Sequence, residues 1–133
     1  MIEMELNKII IDEKRQDQVI VLKEKNGTKT LTIVIGLIEA SSIKMKLSGI
    51  KAPRPLTHDL LYSIIESLKV KVEKITIDKL ENNTFYAKIF IASENQEIRI
   101  IDARPSDSIA LAVRAKAPIF VEEEVLEQSA KYT

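Results

Sequence analysis

The chain has 133 residues, 45% of them apolar and 30% charged, with no cysteine and 20 basic residues set against 20 acidic ones. That length holds one domain with a buried core and leaves no room for two, while the missing thiols exclude disulfides, thiolate metal sites and a cysteine nucleophile. Zero net charge counts against tight, non-specific nucleic-acid binding, which draws on a positive excess, and no apolar run reaches the ~18–20 residues of a membrane span.

The opening Met1-Ile2-Glu3-Met4-Glu5 is acidic and lacks the basic region that precedes a secretion signal, so a cytoplasmic location is expected. Residues 2–12 alternate loosely into Ile9-Ile10-Ile11 and predict a strand. Val19-Ile20-Val21-Leu22 is apolar on both faces and predicts a covered one. Asn26-Gly27 between that run and Leu31-Thr32-Ile33-Val34-Ile35 signals a hairpin. Gly36 breaks the alternation, and Leu37, Ile38, Ala40, Ile43 and Leu47 predict a helix with Gly49 as its C-terminal cap and Glu39 near its start.

A second helix follows on the stripe Leu60, Leu61, Ile64, Ile65, Leu68. The next strand covers residues 70–80 with a phase slip between Val72 and Ile75, which predicts a bulge or a late start of the strand. Glu81-Asn82-Asn83 turns the chain into Phe85–Ile91, and residues 93–96 turn it again into Ile98–Asp102. A third helix runs to about Ala115, then a short strand at Pro118–Val121, then a short helix suggested by Val125, Leu126 and Ser129. Strands grouped in two antiparallel meanders, with three to four helices packed against them, make an α+β fold with mixed or antiparallel sheet. The single domain spans 1–133, its core about 2–121 and its tail or short helix 122–133.

Two stretches carry the candidate chemistry. In Pro53-Arg54-Pro55-Leu56-Thr57-His58-Asp59 the prolines force extended backbone, and Thr57 is placed as the cap of the second helix, with His58 and Asp59 in its first turn. Arg104-Pro105-Ser106-Asp107 repeats the device at the third helix, two residues after Asp102. If the two helices start on one side of the sheet, Asp59, Asp102 and Asp107 converge with His58. Carboxylates so grouped suit a hard dication such as Mg²⁺, which would polarise a phosphodiester and acidify a bound water. Arg54 and Arg104 would clamp phosphate through the guanidinium fork. The plainer alternative is that the aspartates serve the helix dipoles, that Thr57 and Ser106 are caps worth roughly 1 kcal/mol each, and that the arginines pair with those same aspartates. Lys44, Lys46, Lys51 and Arg54 form a run with no acid among them, and Glu122, Glu123, Glu124 and Glu127 cluster near the end; a solvated face accounts for either. A glycine-rich phosphate loop, a His-rich zinc site and a Gly-x-Ser-x-Gly elbow are all absent.

Ile35-Gly36 with Glu39-Ala40, the Pro53–Leu61 run, Asn83-Thr84-Phe85-Tyr86-Ala87, Asp102–Val113 and Ala117–Val121 together resemble the bifunctional nuclease domain family, in order and spacing over most of residues 1–121. Ala103 departs from the pattern, where a serine is expected. The resemblance implies an α+β domain that forms dimers or larger homo-oligomers, and nuclease activity on both DNA and RNA. Joined to the motifs, it yields an expected low-specificity nuclease assisted by Mg²⁺ or Mn²⁺. In that reading His58, Asp59, Asp107 and Glu39 are catalytic; Asp59, Asp102 and Asp107 hold the metal; Arg54, Arg104, Thr57 and Ser106 bind substrate. A non-catalytic module that uses the two Arg-Pro elbows to bind an anion or a partner chain is the alternative.

Overall fold

The computed structural model describes residues 1–12, 14 and 17–130, and residues 131–133 of the expected tail lie outside the described residues. Among the described residues, seven strands form one mixed sheet in the order β3-β2-β1-β7-β4-β5-β6. The first meander is β1 (Ile2–Ile10), β2 (Asp17–Glu24) and β3 (Thr30–Gly36), and the second is β4 (Lys71–Glu81), β5 (Thr84–Ala92) and β6 (Ile98–Ala103), each antiparallel throughout. The three-residue β7 (Ile119–Val121) joins them, antiparallel to β1 and parallel to β4.

The side-chain period of two decides these strands. In β3, Leu31, Ile33 and Ile35 are buried, while Thr30, Thr32 and Val34 face out. β2 buries residues on both faces, Ile20 and Leu22 together with Val21, as its apolar run requires. The slip expected after Val72 is an irregularity between Val72 and Lys74, and a second falls between Ile77 and Lys79. Asn82 and Asn83 both adopt left-handed backbone, φ 51° and 64°, which gives the tight two-residue connection from β4 to β5. The β2–β3 hairpin is present, but its connection is longer than Asn26-Gly27 suggested: Glu24 N donates to Lys29 O at 2.9 Å, so the loop between them has four residues, 25–28.

The helices are α1 (Leu37–Leu47), α2 (Thr57–Ser67), α3 (Pro105–Ala115) and α4 (Glu123–Ala130). Gly49 follows α1 at φ 72°, the left-handed position that a side chain disfavours. α3 is the hub, packing on α1 and α2 and on strands β4 and β5. α4 touches β3 as well as β4, although three strands separate those two in the sheet, so the sheet curls. Inside the curl sit Met4, Ile20, Leu22, Ile43, Ile75, Ile77, Ile109 and Leu111, all nearly inaccessible. No helix among the described residues is long and apolar enough to cross a membrane.

Two apolar segments do not enter this core. Leu60, Leu61 and Ile64 of α2 and Leu68 just after it are exposed, with only Tyr62 and Ile65 of the helix's apolar residues packed against the interior. α2 is held to α3 by the polar face that carries His58, so its apolar stripe turns outward. Edge strand β6 exposes Ile98, Ile100 and Ile101 in the same way.

Ile75 is fully buried and paired on both sides, with Ile89 of β5 and Ile119 of β7. Ile75→Ala is expected to cost about 2–5 kcal/mol through lost burial and a residual cavity. Urea unfolding would read this as a lower midpoint at unchanged slope.

Candidate functional site

Three helices converge through polar side chains where a core would ordinarily be apolar. His58, in the first turn of α2, is buried, and both its ring nitrogens are engaged: Nδ1 lies 2.8 Å from Ser42 Oγ of α1, and Nε2 lies 2.9 Å from Asp107 Oδ1 of α3. Arg114 Nη2 donates to Ser42 Oγ at 3.0 Å. With that bond arriving at its oxygen, the Ser42 hydroxyl hydrogen is available to Nδ1, an arrangement that leaves Nε2–H to donate to Asp107.

From Arg114 the network continues to α2. Its Nε donates to Asp59 Oδ1 at 2.8 Å and its Nη1 to Ala110 O at 3.0 Å, and the other Asp59 oxygen accepts Leu56 N–H at 3.0 Å. From Asp107 it runs outward. Arg104 Nε donates to Asp107 Oδ2 at 2.9 Å, while Arg104 Nη2 stands 3.2 Å from both Asp107 Oδ1 and Glu39 Oε1. Glu39, Arg104, Asp107, His58, Ser42, Arg114 and Asp59 therefore form one unbroken hydrogen-bonded chain. Gly36 makes room at its outer end, since a β-carbon there would collide with the Glu39 carboxylate.

The local folding that places these groups departs in detail from expectation. Leu56, not Thr57, is the N-cap of α2; Thr57 is its exposed first residue, and the capping contact comes from Asp59 reaching back to Leu56 N–H. Arg104 is the N-cap of α3, with Pro105 at the first helical position, where its fixed φ and missing N–H suit the helix. Ser106 is buried in that first turn and does not face solvent.

Of the residues singled out from the sequence, Glu39, His58, Arg104 and Asp107 meet directly, and Asp59 joins them only through Arg114 and Ser42. Arg54 is exposed on the elbow and makes no hydrogen bond or ion pair with a described residue. Asp102 stands apart on β6, its side chain 80% exposed and Lys88 Nζ 3.9 Å away. The expected trio Asp59, Asp102 and Asp107 is therefore not assembled, and among the described residues no group of three or more His, Cys, Asp or Glu stands together as a ligand set. Ser42 and Arg114 were missed. Arg114 had a faint signal: it ends the apolar run after Asp107 and lies seven residues on, on the same face of α3. Ser42 had only its place three residues beyond Glu39.

The electrostatics follow from the contacts. The Leu56 N–H bond and then the Arg114 guanidinium hold the Asp59 carboxyl below its ordinary 3.8, against its own desolvation. For Asp107, burial pushes upward, but the bonds and charges of Arg104 and His58 outweigh it and the net shift is downward. Asp107 in turn raises Arg104. Both aspartates are thus ionised acceptors at neutral pH. A Ser-His-Asp series is present, but Ser42 is buried and its oxygen receives Arg114, so it is not an accessible nucleophile. The solvent-facing part is the Arg104 guanidinium, 64% exposed at the side chain, with the Glu39 and Asp107 carboxylates beneath it. Arg104 Nη1 makes no hydrogen bond to a described residue.

The sequence profile of the bifunctional nuclease domain matches residues 20–133. An uncharacterized protein of Mycobacterium tuberculosis is 40% identical over 121 residues, 91% of this chain and 71% of its own length. Two plant proteins are more distant. Bifunctional nuclease 2 of Oryza sativa is 30% identical over 114 residues, 84% of this chain, and bifunctional nuclease 1 of Arabidopsis thaliana is 29% identical over 105 residues, 77% of this chain. The chain spans 35% and 32% of those two proteins.

Because the folded pKa of Asp59 and of Asp107 lies below 3.8, their contribution to stability is complete above that value and is lost as pH falls through the lowered ones. Unfolding free energy is expected to be flat near neutrality and to drop below about pH 5. Asp59→Asn should start lower and show a shallower acid slope, as read by urea titrations across pH; an unchanged slope would remove Asp59 from the linkage.

Proposed function

Since the chain belongs to the bifunctional nuclease domain family, we propose that it is a low-specificity cytoplasmic nuclease that hydrolyses phosphodiester bonds in RNA and DNA at the Glu39–Arg104–Asp107–His58 cluster. The observation that carries this reading is the exposed guanidinium seated on two carboxylates, with a buried histidine behind one of them. Arg104 offers its free Nη1 edge to phosphate oxygens, and a guanidinium stabilises charge that develops there. Asp107 accepts the proton of an attacking water, and Glu39 holds Arg104 from the other side. His58 touches no substrate; it is a positioning residue whose Nε2–H hydrogen bond fixes Asp107. Thr57 and Arg54, both exposed at the neighbouring elbow, bind flanking phosphates.

A Mg²⁺ or Mn²⁺ ion belongs to this proposal at Glu39 and Asp107, not at Asp59 or Asp102. Glu39 and Asp107 would hold it once Arg104 Nη2, now 3.2 Å from an oxygen of each, swings outward onto the phosphate, since Mg²⁺ takes one or two carboxylates plus waters and phosphate oxygens. When bound, the ion would polarise the phosphodiester and lower the pKa of a water.

Assembly is a second element of the proposal, favoured by the outward stripe of α2 and the open β6 edge. A second copy of the chain covers them, because exposed apolar faces and unpaired edges drive association.

Purified protein should cleave single-stranded RNA and DNA, and Asp107→Asn should lower kcat by about 10²- to 10⁴-fold. Gly36→Ala should fold normally yet lose activity by displacing Glu39. Equal rates for wild type and Asp107→Asn, with or without chelator, would sink the reading. For assembly, sedimentation should give a dimer or larger species, with Leu61→Glu plus Ile64→Glu monomeric; a wild-type monomer at tens of micromolar concentration would overturn it.

A further inference from the structure

The basic run Lys44 to Arg54 is not absorbed by the cluster above, and the fold gives part of it a shape. Between the C-terminal half of α1, the proline elbow and the start of α2 lies a hollow of about 320 Å³, lined by Lys46, Lys51, Pro53, Pro55, Asp59 and Arg114 among others. We propose that this hollow is a nucleotide subsite that holds a phosphate of the nucleic-acid strand beyond the point of cleavage. The assignment rests on the nuclease reading for the identity of its ligand.

Volume comes first: 320 Å³ is at the lower end of the roughly 300–1,000 Å³ of small-molecule sites, the scale of one nucleotide unit. Charge is the second argument. Lys46, Lys51 and Arg114 supply three positive charges and Asp59 one negative, leaving two positive in a chain whose total is zero. The Asp59 carboxylate is paired with the Arg114 guanidinium and Leu56 N–H, so its charge is offset within the wall of the hollow and the two lysines remain as the positive excess. Neither lysine makes an ion pair or hydrogen bond with a described residue. Rigidity is the third. Three N–H groups of Arg114 are fixed on Asp59, Ser42 and Ala110, and the two proline rings hold the opposite wall.

The hollow and the cleavage cluster share one frame. Arg114 reaches Asp107 through Ser42 and His58, three hydrogen bonds of 2.8, 2.9 and 3.0 Å. A path of that length keeps Arg114 and Asp107 within roughly 10 Å of each other, a span of at most about two or three nucleotides of a strand. Pro53 and Pro55 present aliphatic surface without base-edge donors or acceptors, so the subsite reads backbone and not sequence. This is the selectivity a low-specificity nuclease needs.

The test uses a fluorescent single-stranded DNA oligonucleotide, binding measured by anisotropy in the presence of chelator on the Asp107→Asn protein. Lys46→Gln plus Lys51→Gln in that background is expected to weaken binding about tenfold or more and to reduce the log K against log salt slope by about 1.4, near 0.7 for each lost phosphate contact on a single strand. Both lysines are exposed, and a matching melting temperature checks that the variant is folded. Unchanged affinity and slope, or no measurable binding by the parent protein, overturns the subsite. Adenosine monophosphate that displaces the oligonucleotide at micromolar concentration from the parent protein overturns the strand assignment in favour of a free nucleotide. Lysine-dependent strand binding in a wild type that never cleaves upholds the subsite and removes the nuclease reading instead.

Discussion

One imidazole holds the helical layer together. His58 is buried, and each of its nitrogens bonds a different helix, Ser42 on α1 and Asp107 on α3. A buried polar group left without partners costs about 1–3 kcal/mol, so the three helices are bound to positions that satisfy it. Arg114 repeats the logic one step along. Its side chain is 3% exposed, and it is tolerated inside only because Asp59, Ser42 and a backbone carbonyl receive it. The polar face of α2 is therefore the one that packs, which is why its apolar stripe is left outside.

That inversion marks the limit of what periodicity could tell. Every strand and helix was legible: alternation gave β3, the slip after Val72 gave the β4 irregularity, Gly49 gave the end of α1, and the Asn pair gave the second hairpin. Leu60, Leu61, Ile64 and Leu68 read as a core stripe because helical spacing reports that a face is apolar, not what covers it. The sheet order was equally hidden. Nothing local in Ile119–Val121 announces that it lies between the two meanders.

The site was half legible for a related reason. The two elbows draw the eye because proline, arginine and aspartate stand together in the chain, and Glu39, His58, Arg104 and Asp107 do meet. Asp102 sat beside Arg104 in sequence and stands away from it in space, because a strand end and a helix start point in different directions. Ser42 and Arg114 carry the link between the elbows, yet are 72 residues apart, a pairing that only the tertiary fold creates. The same structure also gives each carboxylate of the network a cation or N–H donor, so it is anchored before any ligand arrives. Such preorganisation removes the reorganisation a flexible site would need.

The placement of β7 bears on how the molecule assembles in time. Its pairing of Ile2 with Val121, and of Ile75 with Ile119, joins segments from remote parts of the chain. Each meander can zip up from local hairpins, but the two cannot be hydrogen-bonded into one sheet until residues 119–121 have been made and inserted. Closure of the sheet is then a late, entropically demanding event. Until it happens, a nascent polypeptide on the ribosome carries two half-sheets with open inner edges, and it is in this interval that the protein is most exposed to misassociation.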